Sequence, residues 1–482
     1  MTILIKNIAH IATMDDACSE LRDGWILVDG PSISALGAGA PPPALPQEDR
    51  TEIDAHGALA MPGMVNTHHH LFQTFHRAMP MVQDAELFDW LLCLYEIWRE
   101  LTPNDVRISA QVGLGELLLT GCTTIADHLY LYPKDQSPHL LDETIDAARE
   151  IGARFHPSRG SMSRGRSHGG LPPDDVVQTP DAILADSARV IERYHDASRF
   201  SMCRLALAPC SPFSVTDDLL TESAQLARSY GVRLHTHLAE TKDEEAFCCE
   251  MHGCRPLAYM EKVGWTGPDV WYAHGVHLDD AELSLMASTG TGIAHCPTSN
   301  LRLGSGTARI PRALELGVPV GLAVDGAASN DASDMIRELQ TCMLVHRVGT
   351  SVKAMPARLA LNIATRGGAR VLGRDDIGYL APGMAADIVL FGLDDLGLAG
   401  AMHDPVAAIA FTTGIRRARW VMVNGRIVVE EGRLMHIDER DLVRQANRAS
   451  TTMVVRAEGR TGLPFLSRVA ALVDKQAEGS RK

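Results

Sequence analysis

A chain of 482 residues, 45% hydrophobic and 22% charged, has an ordinary globular make-up and can bury a large core without disulfides or a structural metal. Its 45 Lys and Arg stand against 60 Asp and Glu, a net charge of -15 that argues against a nucleic-acid backbone or an anionic membrane as partner. No apolar run of membrane-spanning length occurs, MTILIKNIAHIATMDD lacks the order of a signal peptide, and ten scattered cysteines suit a reducing, cytoplasmic setting.

Residues 1–57 alternate short apolar stretches with Gly and Asp-Gly turns, the pattern of short antiparallel strands, and the Pro- and Ala-rich segment 38–49 reads as an exposed loop. From residue 58 the rhythm changes. Eight short apolar runs follow one another: 59–70, 122–128, 154–160, 204–210, 232–240, 270–275, 292–297 and 320–326. Helix-period segments separate them, such as TDDLLTESAQLARSYG (216–231), with an acidic first turn and a Gly stop. Eight strand–helix repeats predict an α/β fold, a closed parallel (β/α)8 barrel of the TIM type. The rival, an open doubly wound sheet, would carry a glycine fingerprint after an early strand, and none is present. After residue 376 strands return, with VMVNGRIVV marking a hairpin. The expected organisation is a composite β-sandwich from 1–58 and 372–432, a barrel over 59–371, and a helical extension over 433–482 ending in the basic, frayed SRK.

Barrel active sites sit at the C-terminal ends of the strands. The first run ends in NTHHHLFQ, where His68 and His70 share one side of the chain and His69 faces the other. The fifth ends in HTHLAE, with His235 and His237 on one face and Glu240 three residues beyond; the sixth ends at His274 and the eighth at Asp325. Imidazole nitrogens with one carboxylate suit a borderline-soft ion, so His68, His70, His237 and Asp325 form the expected metal set. One divalent ion is expected, zinc first, with Fe2+ also served by these ligands. Such an ion makes water a usable nucleophile near neutral pH. Cys248, Cys249 and Cys254 cluster near His252, and adjacent cysteines on a helix account for them better than a second metal site.

NTHHH (66–70), HLAE, the Ala273–His274 pair and VDGAASND, in this order, resemble the amidohydrolase superfamily over nearly the whole chain, including APGMAADIVLF near residue 381. The only lysine between residues 60 and 241 is Lys134, beyond the second run, so a metal-bridging lysine is not expected and the resemblance is to the mononuclear aminohydrolase branch. LAPCSPFSVT, HCPTSNLRL and VDGAASNDASDMI narrow it to a subgroup acting on 8-oxoguanine and hydroxylated triazines. The reaction this implies is hydrolytic deamination of an oxopurine, 8-oxoguanine and water giving urate and ammonia. Guanine and hydroxyatrazine-type s-triazines are the alternative substrates, and a homologue that binds a ring without turning it over is the remote one.

The catalytic residues implied are Glu240 as proton shuttle, Asp325 as ligand and proton acceptor, and His274, which resembles the family's strand-six histidine. Gln73 resembles the substrate amide of guanine-type deaminases, the bland alternative being an amide with no ligand. Arg159 either donates to a ring carbonyl or makes a salt bridge in the barrel mouth. Trp90, Tyr95 and Trp98 follow strand one; Trp98 is the chosen wall of the pocket, with ordinary packing the default for at least two of the three. Cys210, without a general-base partner, reads as pocket lining. The partner is a small heterocycle, and the resemblance implies a homo-oligomer.

Overall fold

The computed structural model describes residues 2–42, 50–412 and 417–467. Part of the loop expected at 38–49 and all of the SRK tail lie outside these residues; residues 38–40 are exposed.

Eight parallel strands form the barrel: β1 (Met64–Asn66), β2 (Cys122–Leu129), β3 (Arg154–Ser161), β4 (Ala206–Pro209), β5 (Arg233–Leu238), β6 (Val270–His274), β7 (Gly292–His295) and β8 (Val320–Leu322). They pair in sequence order, each with the next. The strands are buried nearly throughout, as expected when helices cover a parallel sheet, and their sequences therefore read as continuous apolar runs. The intervening helices obey their end signals. Asp217–Tyr230 stops at Gly231 (φ 68°), and Asp280–Thr289 opens with a capping box between Asp279 and Glu282 and stops at Gly290 (φ 75°). Closure joins β1 to β8 without a regular ladder. The Thr67 amide donates to the Leu322 carbonyl at 3.1 Å and the Asp325 amide to the His68 carbonyl at 3.2 Å. That seam sets His68 beside Asp325.

The two ends of the chain meet in one nine-stranded sheet. Thr2–Ala12, Glu20–Asp29 and Ser32–Ala38 are antiparallel neighbours, but Arg50–Asp54, where antiparallel pairing was expected, runs parallel to the first of them, and so does Leu59–Pro62. Leu59–Pro62 is also the splice to the C-terminal strands, pairing antiparallel with Ile388–Phe391, which leads to Trp420–Val423, Arg426–Glu430 and Arg433–Leu434. Asn424 and Gly425 turn that hairpin with φ of 52° and 77°. Ile3, Ile5, Ile8 and Ile26 from one arm share an apolar cluster with Ile388, Leu390 and Met422 from the other.

The run 59–70 is therefore two strands in two sheets, and Leu59–Pro62 does not begin the barrel. The break falls at Gly63, where a Cβ would lie 2.0 Å from Thr123 Oγ1. Only glycine lets the backbone pass that close to β2. The C-terminal helix Glu439–Thr461 packs over the front of the barrel. Ser450 Oγ donates to the Phe75 carbonyl at 2.7 Å, bracing the 3-10 turn Leu71–His76 that carries Gln73.

Candidate metal centre and active site

Past β1 the chain runs from Thr67 to His70 into the barrel mouth. Each buried imidazole there has its tautomer set by its partners. His235 Nδ1 donates to the Trp271 carbonyl at 3.0 Å, so its Nε2 is a lone pair that accepts from His68 Nδ1 at 2.7 Å. His70 Nδ1 donates to the His128 carbonyl at 2.7 Å, and His237 Nδ1 to the Cys210 carbonyl at 2.6 Å. The Nε2 atoms of His68, His70 and His237 are then all lone pairs.

These lone pairs face one another. His70 Nε2 and His237 Nε2 are 3.0 Å apart, and Asp325 Oδ1 lies 3.2 Å from His68 Nε2 and 3.4 Å from His70 Nε2. His68 Nε2 is buried with no hydrogen-bond partner. Such a set repels itself unless a cation sits among it. Separations of this size are those of a four-donor shell with bonds of about 2.0–2.1 Å, so the residues fit a zinc-class ion. Burial lowers the His68, His70 and His237 imidazoles, keeping them in the neutral, ligating form. Burial opposes ionisation of Asp325, but its contacts with His68, His274 and His70 hold it well below the usual carboxylate range. Ser299 Oγ (2.6 Å) and Ser329 Oγ (3.1 Å) donate to its other oxygen.

His274 and Glu240 complete the cluster. His274 Nδ1 donates to Asn300 Oδ1 at 2.9 Å, which presents Nε2 to Glu240 Oε2 at 3.5 Å. Burial raises the Glu240 carboxyl to about 7; Asp325 and Glu244 push the same way and His274 opposes them. His274 is raised despite burial, because Glu240, Asp325 and the Asn300 bond outweigh desolvation. Both oxygens of Glu244 accept backbone bonds, from Ala239 (2.8 Å) and Glu240 (3.0 Å), and hold the turn that aims Glu240. Ala239, His274 and Asp325 all have left-handed φ, of 53°, 74° and 63°. Strain collected at three strand ends of one site is typical of a site whose side chains are aimed by the fold.

The cluster floors a cavity lined by Gln73, Trp90, Tyr95, Tyr130, Cys210 and Phe213 among others. Gln73 Nε2 donates to Tyr130 Oη at 3.3 Å, while Gln73 Oε1 is buried without a partner. Gly326 makes room for it, since a Cβ there would lie 1.9 Å from that oxygen. Cys210 lines the cavity, its thiol pushed up to about 12 by burial.

Two expected substrate contacts lie elsewhere. Arg159 is buried within the barrel wall, paired with Asp186 (2.6 Å) and Gln178 (2.9 Å) and stacked 3.8 Å over the Tyr132 ring, so the salt-bridge alternative holds. Trp98 is fully buried behind the pocket; its Nε1 donates to His76 Nδ1 at 3.2 Å and it packs on Phe72 and Trp90. The wall is formed by Trp90 and Tyr95 instead; Trp98 lies further along the same face of the helix Leu87–Trp98 and packs behind both rings. In the cysteine cluster, Cys248 is buried and Cys249 exposed, and His252 stacks on Tyr259 at 3.8 Å.

Sequence reasoning missed His128, which joins His68, His70 and His237 with ligating atoms within 4.8 Å, and Tyr130, two residues on. Their signal was position, since ADHLY lies at the end of β2. Asn300, Ser299 and Glu244 were also missed. They touch the site only through His274, Asp325 and Glu240, and spacing along the chain does not reveal that.

The amidohydrolase family model matches residues 59–428. The chain belongs to the amidohydrolase family. This amidohydrolase is 44% identical over 431 residues to the 8-oxoguanine deaminase of Pseudomonas aeruginosa, covering 89% of this chain and 95% of that enzyme. It is 38% identical over 472 residues to an isoxanthopterin deaminase from an unknown prokaryotic organism, covering 92% and 96%. The crystal structure of the atrazine chlorohydrolase TrzN from Arthrobacter aurescens, complexed with zinc, matches with a TM-score of 0.87 at 36% identity, covering 93% and 100%. The amidohydrolase described here is a metal-dependent aminohydrolase. No helix among its described residues is long and apolar enough to cross a membrane.

Proposed function

We propose that this amidohydrolase deaminates an oxopurine, converting 8-oxoguanine and water to urate and ammonia. The observation that carries the reading is Glu240, a buried carboxyl 3.5 Å from His274 and beside the His–Asp cluster. His68, His70, His237 and Asp325 would hold one divalent ion, zinc by its donor set. Bound there, the ion supplies a water acidified to act as nucleophile near neutral pH.

The chain's own groups supply the proton transfers. Glu240, its carboxyl raised to about 7, exchanges protons near neutrality, taking one from the attacking water and delivering one to the departing amine. An amine needs that proton in order to leave. His274, fixed by Asn300, presents Nε2 to the same space and stabilises charge developing on the ring. Asp325 Oδ1 accepts the second proton of the attacking oxygen, which ends on the ring nitrogen of the product, while Ser299 and Ser329 hold Oδ2. Gln73 offers its unpaired Oε1 to a ring N–H, and Trp90, Tyr95 and Phe213 provide flat apolar walls for a bicyclic ring.

The choice of 8-oxoguanine is supported by the 44% identity to a deaminase of that name. Guanine and hydroxyatrazine compete for the assignment, since both present an amino-substituted carbon between ring nitrogens. The test measures ammonia release by the zinc-loaded protein on all three. The expected result is the highest kcat/KM for 8-oxoguanine, lowered about a hundredfold or more in Glu240→Gln; faster turnover of hydroxyatrazine overturns the substrate assignment. The ten free cysteines fit a cytoplasmic enzyme.

A further inference from the structure

A second group of metal-ligating side chains lies outside the active site. His295 ends β7, and Cys342 and His346 sit one turn apart on one face of the helix Met335–Gly349, which follows β8. All three are buried, and their ligating atoms lie within 4.8 Å of one another. His346 Nε2 faces His295 Nε2 at 3.0 Å, the separation also seen between His70 and His237. His295 Nδ1 is buried with no hydrogen-bond partner. Burial lowers both imidazoles, His346 to about 4, so each is neutral near pH 7 and keeps one unprotonated ring nitrogen.

We propose that His295, Cys342 and His346 form a second site for a borderline-soft divalent ion of the Zn2+ or Co2+ class. Two imidazoles and a thiolate select such ions over Mg2+ and Ca2+, which take oxygen donors. Binding sends the Cys342 thiol proton to solvent and leaves the sulfur as an anionic ligand. No pocket residue of the active site belongs to this group, so its role is structural. It ties β7 to a helix that braces the catalytic end of the barrel. Glu338 on that helix accepts from the Thr298 amide and from Asn330 Nδ2, both at 2.9 Å. Thr298 is followed by Ser299 and Asn300, which hold Asp325 and His274.

The test uses the full chain, stripped by chelation and reconstituted with Co2+, with metal counted per chain and the near-ultraviolet thiolate-to-cobalt charge-transfer band recorded. Two equivalents and a thiolate band are expected in the wild type. Cys342→Ala and His346→Gln lose the band and one equivalent. His70→Ala, which disrupts the active-site set, and Cys210→Ala and Cys296→Ala, which remove the thiol beside His237 and the one next to His295, keep the band. One equivalent with no thiolate band in the wild type overturns the proposal and leaves a plain His–His hydrogen bond; a band lost with Cys210 or Cys296 overturns it as well. Should Cys342→Ala fail to fold, the wild-type count and the band in His70→Ala decide.

Discussion

His235 provides the sharpest test of how the cluster is held. It contacts neither pocket nor Asp325, yet its Nε2 accepts from His68 Nδ1 at 2.7 Å and so fixes which His68 nitrogen faces the ion. The ring is 1% exposed and stacks on Trp271 with centroids 4.4 Å apart and planes 14° from parallel. His235→Phe keeps the ring and the stack and removes only the nitrogens. His68 then loses a hydrogen bond worth about 0.5–1.5 kcal/mol net, and its orphaned N–H adds a desolvation cost of about 1–3 kcal/mol. Part of that penalty lowers stability, and part is relieved when His68 rotates or changes tautomer, at the expense of its ligand position. Loss of such a supporting contact typically weakens metal binding about 10–100-fold, which is about 1.4–2.7 kcal/mol. Chelator competition on the folded variant reads this directly. His69→Gln is the control, because His69 faces Ser333 at 2.9 Å on the other side of the chain and should leave affinity unchanged. Wild-type affinity in a folded His235→Phe refutes the tautomer argument, and so does complete loss of binding equal to that of His237→Ala.

Glu240→Gln should lower kcat by about 10²–10⁴-fold, the range of a lost general acid–base group, with metal content by elemental analysis unchanged. Arg159→Met should leave KM as in the wild type but reduce stability in denaturant titration by about 3 kcal/mol, the low end for breaking a buried pair, because Arg189 still reaches Asp186 at 2.7 Å; a raised KM with unchanged stability would return Arg159 to the substrate. Gly326→Ala drives a Cβ to within 1.9 Å of Gln73 Oε1, the far end of a flexible side chain, so the fold should survive. KM for 8-oxoguanine should rise by roughly tenfold at most, the worth of one neutral hydrogen bond, and adding Gln73→Ala should have no further effect.

Local pattern alone was enough for the eight-stranded barrel and for the residues that reach its mouth. Strand periodicity, capping residues and glycine stops are local properties, and they place His68, His70, His237, Glu240, His274 and Asp325 at strand ends whatever the rest of the chain does. Long-range packing sets which of these side chains meet and which line the cavity. The seam between Thr67 and Leu322, 255 residues apart, brings Asp325 to His68. Gly63 divides one apolar run between two sheets because Thr123 leaves no space for a side chain there. Arg159 and Trp98 were sound choices by type and position, but Asp186 and His76 claim them from neighbouring elements. His128 and His235 gained their roles from other strands, the His128 ring from the Ala208 carbonyl and His235 from the Trp271 carbonyl and ring. Direction across a packed barrel depends on contacts between distant segments, and local pattern carries no record of them.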